Sequence, residues 1–273
     1  MAGSTPPRGT IWRALLKEIL VIPDPHDQPN TDKTRFLIAG RLAVHRQPEN
    51  IVCLGDWAEM GSLSKYDVGK VSAEGKRYCD DVRSTKDSLA LFNQPIEEYN
   101  NTHTRWKKKK YTPKKIMNIG NHEDRVSRAA AATPSLYGTI SVDDLGFEDA
   151  GWEVSPLATP AMVEGIAFSH YFTSGVMGRP IGGLNHARSL LVKGMSSCVV
   201  GHSHLRDMSE EVTIAGKKIL GLVAGCYFDY EMEWTTENKR YWRGLVYLRD
   251  VQDGQAEPEF LNLDTYLKLK YGD

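Results

Sequence analysis

Short apolar runs alternate along the chain with polar segments of helical spacing, and five of the runs end in residues of the kind that bind metals. "EILVIPDPH" reads as a short buried strand that stops at Pro23, followed at once by Asp24 and His26. In "RLAVHRQPENIVCLGDWAEMGS" a helix breaks near Pro48, and the run "IVCLG" leads into Asp56. "IMNIGNHEDR" ends in Asn121 and His122, "EGIAFSHYF" in His170, and "CVVGHSH" in His202 and His204. Between them, Leu89, Phe92, Ile96 and Tyr99 fall at spacings of three and four and predict an amphipathic helix. Pro95 interrupts that pattern and predicts a kink or a division into two helices. "RVSRAAAATPSLYGTISVDDLGF" reads as helical pieces divided at Pro134, and "PIGGLNHARSLLVKG" as a helix opening after glycines. "KKILGLVAGCYFDYE" and "RGLVYLRDVQDG" read as further strands.

Apolar runs separated by helices favour an α/β domain with much of its sheet buried. In such sheets ligands gather outside the carboxyl ends of the strands. Five strand ends carrying ligand-type residues are thus five opportunities to build one site. Residues 1–10 read as a loose leader and 11–273 as a single domain, with an inserted helical and basic segment at about 60–115. No internal repeat of solenoid length is present.

Composition adds limits. With 273 residues, 41% hydrophobic and 25% charged, the chain can bury a sizeable core. Its 34 Lys and Arg against 35 Asp and Glu give no net field for a nucleic acid or a membrane, so any such partner must be read by a local patch. Cys53, Cys79, Cys198 and Cys226 form no C-x-x-C pair. The early apolar stretch is broken by Lys17 and Glu18 and does not read as a secretory signal, and no run reaches the length of a membrane span. A soluble protein of a reducing compartment, by default the cytoplasm, is expected.

The basic run "RWKKKKYTPKK" is the one biased segment. Trp106 and Tyr111 among its cations fit a nucleic-acid backbone with a stacked base, and a solvated loop fits equally. The run enters the strand that delivers Asn121, which places it at the amino end of that strand, away from the expected site.

In order, the ligand-type blocks are "DPH", "GDWAE", "GNHE", the lone His170 and "GHSH". This series resembles the calcineurin-like metallophosphoesterases, whose pattern is D-x-H, GDxxD, GNH(D/E), a lone His and GHxH. The resemblance spans residues 24–204, and while any one block is weak, the ordered set is specific. It implies a four-layer α/β/β/α sandwich with mixed sheets and a dinuclear centre of two divalent cations. Carried over position by position, Asp56 bridges, Asp24, His26 and His204 complete one metal, and Asn121, His170 and His202 complete the other. Manganese is the first expectation by resemblance, and iron, zinc, nickel and cobalt suit the same mixed carboxylate, amide and imidazole donors. His122 is implied as the catalytic residue on the substrate side, stabilising transition-state oxygens or protonating the leaving group.

Phosphoester hydrolysis independently calls for such a set, because it needs an oxygen nucleophile at neutral pH and compensation for charge on phosphoryl oxygens. Two cations held close require a bridging anion, which a carboxylate supplies. An extended chain would point His202 and His204 to the same side, with Ser203 facing away. The glycines before Asp56, Asn121 and His202 suit sharp turns or close backbone approach. One departure from the pattern is Glu59 in place of the second Asp of GDxxD, for which a role supporting the ligands is expected.

Arg125 and Arg179 follow ligand blocks at distances that suit contact with a phosphate. His45, His103 and His186 lie outside the pattern and read as surface residues, with His186 alone on a route to the site. The leading function is a metal-dependent phosphoesterase. "GNHEDR" and the compact length are similar to phage-encoded and bacterial members regarded as nuclease-like, which favours a phosphodiester of a nucleic acid or nucleotide. A phosphomonoesterase, and a non-catalytic binding module of the same fold, are the alternatives.

Overall fold

Apolar runs become strands and the helix-spaced segments become the connections between them. The computed structural model describes residues 16–232 and 237–272, so the leader expected over 1–10 lies outside the described residues. The strands are β1 (Lys17–Ile22), β2 (Asn50–Cys53), β3 (Lys114–Asn118), β4 (Glu153–Ser155), β5 (Ala161–Val163), β6 (Ile166–Ser169), β7 (Thr173–Ser174), β8 (Arg179–Pro180), β9 (Cys198–Val200), β10 (Arg206–Val212), β11 (Lys218–Ala224), β12 (Gly244–Gln252) and β13 (Gln255–Asn262). The main helices are α1 (Thr34–Arg46), α2 (Tyr78–Arg105), α3 (Asp124–Ala132) and α4 (His186–Gly194).

One sheet has the order β13-β12-β1-β2-β3-β4. Its β1 to β4 are parallel, and β12 and β13 add antiparallel strands beside β1. A second sheet has the order β10-β11-β9-β6-β5, with a parallel centre of β11, β9 and β6 and an antiparallel strand at each edge. The two-residue period of a strand sorts the side chains between layers. On β1, Leu20 and Ile22 face α1 and α2, while Ile19 and Val21 face the second sheet. On β12, Leu245 and Tyr247 take the helix side and Val246 and Leu248 the sheet side. Ile166 and Phe168 of β6 meet the first sheet, and Ala167 turns outward to Ala187 and Leu190 of α4. Helices, sheet, sheet and helix therefore stack as a four-layer α/β/β/α sandwich, and both sheets are mixed.

The parallel strands need crossovers, which α1 supplies between β1 and β2 and α2 between β2 and β3. The helix α2 runs through Pro95 as one element of 28 residues rather than dividing there. Burial of Leu89, Phe92 and Ile96 against α1 outweighs the one hydrogen bond that proline removes. The basic run leaves the end of α2 and enters the amino end of β3. Trp106 is exposed, but Tyr111 is buried and donates to the Pro48 carbonyl at 3.0 Å, so only one of the two aromatics is free to stack. All four cysteines are free thiols, with only Cys79 exposed. Among the described residues no helix is long and apolar enough to cross a membrane.

Candidate metal centre

The loops after β1, β2, β3, β6 and β9 converge where the two sheets meet. Asp24, His26, Asp56, His202 and His204 have φ of +37°, +45°, +49°, +65° and +59°. Asp and His enter this left-handed region more readily than most residues, yet each still costs about 1–3 kcal/mol unless its surroundings enforce it. Here they do: the His26 amide donates to the Asp56 carbonyl at 2.8 Å, the His122 amide to Asp56 Oδ1 at 2.9 Å, and the His202 amide to Asp24 Oδ2.

The HSH segment departs from the sequence expectation. It is a bend with two left-handed residues rather than an extended chain, so strand alternation does not bring the imidazoles to the site. Hydrogen bonding to Asp24 sets the bend instead. Two glycines make it and its counterpart fit: a Cβ on Gly201 would lie 2.0 Å from Asp24 Oδ1, and one on Gly120 would lie 2.1 Å from Asp56 Oδ1.

Two groups of donor atoms result, and Asp56 Oδ2 lies between them, near His26 of one and His170 of the other. In one, His26 Nε2 and His204 Nε2 are 3.0 Å apart, Asp24 Oδ2 is 3.5 Å from His204 Nε2, and Asp56 Oδ2 is 3.7 Å from His26 Nε2. In the other, His170 Nε2 lies 2.9 Å from Asn121 Oδ1, 3.1 Å from His202 Nδ1 and 3.2 Å from Asp56 Oδ2. Ligands held at about 2.1 Å from one cation lie about 3 Å from each other when at right angles, so these separations suit cations.

Partners on the far side of each ring fix which nitrogen faces inward. His26 Nδ1 donates to Glu59 Oε2 at 2.6 Å, and His170 Nδ1 to the Leu54 carbonyl at 3.1 Å, leaving both Nε2 lone pairs directed into the site. Acceptors then face acceptors in one group, where His170 Nε2, Asn121 Oδ1 and Asp56 Oδ2 meet. Only a cation or a proton between them relieves this. Asp24 Oδ1, buried without a hydrogen-bond donor, adds to the same need. The donor set therefore fits divalent metals.

Charges follow the same logic. Burial raises Asp56, but His170 and His122 outweigh it and hold the carboxyl well below its ordinary range. Burial works against charge on His170, but Asp56 and Asp24 outweigh it and push the imidazole well up, so that without metals a proton takes the cation's place. Burial lowers His204 and His202, helped by His26 and His170 respectively, which keeps their lone pairs available.

Around this centre, His122 donates from Nδ1 to the Glu59 carbonyl at 2.9 Å and places Nε2 3.1 Å from the Arg125 guanidinium. Burial works against its charge, but Glu59 and Asp56 outweigh that and raise it to about 9. Glu59 holds His26 and lies 3.2 Å from His122 Nδ1. Arg125 is tied to the Glu59 carbonyl at 2.8 Å. Arg179 is exposed on β8, and its neighbour Pro180 lines the cavity beside His202. His45 is exposed as expected and His103 stacks on Tyr99. The surface expectation fails for His186: it opens α4, is 3% exposed and sits 3.4 Å from Ser203 Oγ, because the helix it begins packs on the second sheet.

Glu123 is a residue the sequence reading passed over. It is fully buried, and its two oxygens accept from the amides of Asp56 at 3.0 Å, Ala58 at 2.8 Å and Gly120 at 2.9 Å. One carboxylate thereby ties the loop after β2 to the loop after β3. Burial and the Asp56 charge raise it to about 6. Its place as fourth residue of GNHE was the available signal.

No family model and no curated protein matches the chain. Solved structures with a similar course include a conserved uncharacterized protein from Streptococcus pneumoniae TIGR4, described as a predicted phosphoesterase. It is 11% identical, with 91% of this chain and 90% of that chain covered and a TM-score of 0.38. Another is Yfce, a phosphoesterase from E. coli, 11% identical, with 89% of this chain and 98% of that chain covered and a TM-score of 0.35.

Proposed function

We propose that this chain is a divalent-metal-dependent phosphoester hydrolase acting on a phosphodiester of a nucleic acid or nucleotide. The observation that carries the reading is the place of Asp56 Oδ2 between two groups of donors, 3.7 Å from His26 Nε2 and 3.2 Å from His170 Nε2, each group otherwise made of side chains suited to one cation. Asp24, His26 and His204 hold one cation with Asp56, and Asn121, His170 and His202 hold the other. Manganese is the expected metal, and iron, zinc, nickel or cobalt suit the same donors. Bound there, two divalent cations supply an oxygen nucleophile at neutral pH and offset charge on the phosphoryl oxygens.

The chain's own residues do the rest. Glu59 holds His26 in the tautomer that presents Nε2, and the Leu54 carbonyl does the same for His170. Glu59 and Asp56 favour the protonated form of His122, and its Nε2 lies 3.1 Å from the Arg125 guanidinium. Arg125, held by the Glu59 carbonyl, and His122 present their polar atoms side by side, which suits a phosphoryl group. His122 then donates a hydrogen bond to a phosphoryl oxygen or a proton to the leaving oxygen. The intact donor set together with His122 favours a working enzyme over a binding module.

The test is hydrolysis of bis-p-nitrophenyl phosphate beside p-nitrophenyl phosphate by protein stripped of metal and reloaded with manganese, zinc or magnesium. A diester preference that disappears in His122→Ala is expected. Preference for the monoester would make the protein a phosphatase, and no turnover of either ester with any metal would contradict the hydrolase reading.

A further inference from the structure

Two grooves flank the metal residues, one on each side of the segment from His202 to Arg206. A cavity of about 250 Å³ opens beside Asn121 and His202, with Lys65, Arg125 and Arg128 in its walls and the rings of Tyr66 and Tyr171. Across the segment, a cavity of about 750 Å³ is walled by Ser203, Arg206 and Arg240 with the rings of Tyr241 and Trp242. His202 thus lines one groove and the next residue, Ser203, the other. The ring of Tyr241 packs edge-on against His204 at 4.7 Å, which ties the second groove to the same centre.

Neither groove has a carboxylate in its walls among the described residues, which sets the pair apart from three other cavities of the surface. Those carry Glu98 in one case, Asp67 and Glu231 in another, and Asp80 and Asp81 in a third. Each groove also holds a cation that no acid of the described residues pairs with. Among the described residues Lys65 makes no hydrogen bond or ion pair, and the Arg206 guanidinium lies over the rings of Trp242 at 5.5 Å and Phe260 at 5.2 Å with no ion pair. Beside Lys65 the ring of Tyr66 is 82% exposed.

Cations that track a backbone, set beside rings, are the equipment for binding a single strand: phosphates meet the cations and bases stack on the rings. Here cations and rings line both grooves, the ring of Tyr66 exposed and those of Tyr241 and Trp242 half-buried, with the metal residues between. We infer that the substrate is a single-stranded polynucleotide that crosses the centre, one flank lying on Lys65 and Tyr66 and the other on Arg206 and Tyr241, so that the bond cut is internal. This rests on the phosphodiesterase reading above. In the step, water adds to phosphorus, the bond from phosphorus to one sugar oxygen breaks, and that oxygen takes up a proton. One fragment then ends in a phosphate and the other in a hydroxyl. A mononucleotide diester would leave one groove empty. The lysine run is not part of this path, because it lies at the amino end of β3.

Two measurements test it. Covalently closed single-stranded DNA, which has no ends, is incubated with the manganese-loaded protein, and linear product is expected. Hydrolysis of bis-p-nitrophenyl phosphate with the circle left intact would overturn the proposal, as would release of nucleotides from the ends of a linear strand alone. Separately, binding of a fluorescent twelve-residue oligothymidylate to the full chain under chelation is followed by anisotropy over a range of salt. Lys65→Ala and Arg206→Ala should each reduce the slope of log K against log salt by about 0.7, the contribution of one phosphate contact on a single strand. Tyr66→Ala should weaken binding by about fivefold or more with no change of slope. Unchanged slopes in both cation variants, or a loss confined to alanine replacement of Lys107 to Lys110, would overturn the assignment of the grooves. Binding with the expected slopes but no hydrolysis of any ester would instead sustain the grooves and refute the hydrolase reading.

Discussion

Replacing Gly201 by alanine tests whether the centre depends on the packing seen around Asp24. The new Cβ would lie 2.0 Å from Asp24 Oδ1, 2.8 Å from its Cγ and 3.0 Å from Oδ2, whereas contacts under 3.0 Å are essentially never adopted. Asp24 must therefore recede by about 1 Å or the bend carrying His202 and His204 must move out by the same amount. Either shift separates Asp24 Oδ2 from His204 Nε2, now 3.5 Å apart, and strains the hydrogen bond from the His202 amide. A displacement of about 1 Å in such a group costs on the order of a hundredfold in rate, and disturbance of the groups that orient ligands costs about 10–100-fold in metal affinity. Gly201→Ala is thus expected to bind manganese about 10–100-fold more weakly, measured by titration calorimetry, with turnover of a small diester reduced at least as much at subsaturating metal. Gly194→Ala, where the added carbon meets nothing within 4 Å, is the control and should match the unaltered chain. Wild-type metal affinity in a folded Gly201→Ala protein would refute the argument that Asp24 is held against this backbone in order to bind metal.

Other consequences can be measured in the same way. Asp56→Asn and His204→Ala should lose bound metal together with turnover, whereas His122→Ala should retain metal by elemental analysis and lose about 10²–10⁴-fold in rate. Glu123→Ala leaves the amides of Asp56, Ala58 and Gly120 without an acceptor, at about 1–3 kcal/mol each. At least about 3 kcal/mol of destabilisation is expected, a fall in Tm of about 6–12 °C by calorimetry. Burial lowers Lys115 to about 8. Between that value and its ordinary 10.5 the unfolded chain binds more protons at this site than the folded one, so its contribution to stability rises with pH there. Denaturant titrations at pH 7.5 and 10 should show this rise relative to Lys115→Met, and an equal pH response in the two proteins would contradict it.

What the sequence disclosed and what it hid divide along physical lines. An apolar run followed by Asp, Asn or His is a local feature, so the strands ending near Asp24, Asp56, Asn121, His170 and His202 were legible, as was their convergence at carboxyl ends. The layer order came from resemblance, and the alternation of Leu20 and Ile22 with Ile19 and Val21 gives it a physical basis. The bend at His202 was misread because left-handed φ is imposed by Asp24, 178 residues away, and leaves no local mark. Burial of His186 was missed for a like reason, since it depends on α4 packing against a sheet built from distant strands. Pro95 suggested a break by a local rule, and the packing of Phe92 and Ile96 overrode it. The paired grooves draw on Lys65, Arg128, Arg206 and Tyr241, which no motif joins.

The most direct test of the centre is to count its metal ions. Apo-protein titrated with manganese and followed by calorimetry, with elemental analysis of the desalted product, should take up two equivalents per chain, and Asp56→Asn should disturb both sites at once. A single equivalent, or two that persist unchanged in Asp56→Asn, would contradict the shared carboxylate on which the account is built.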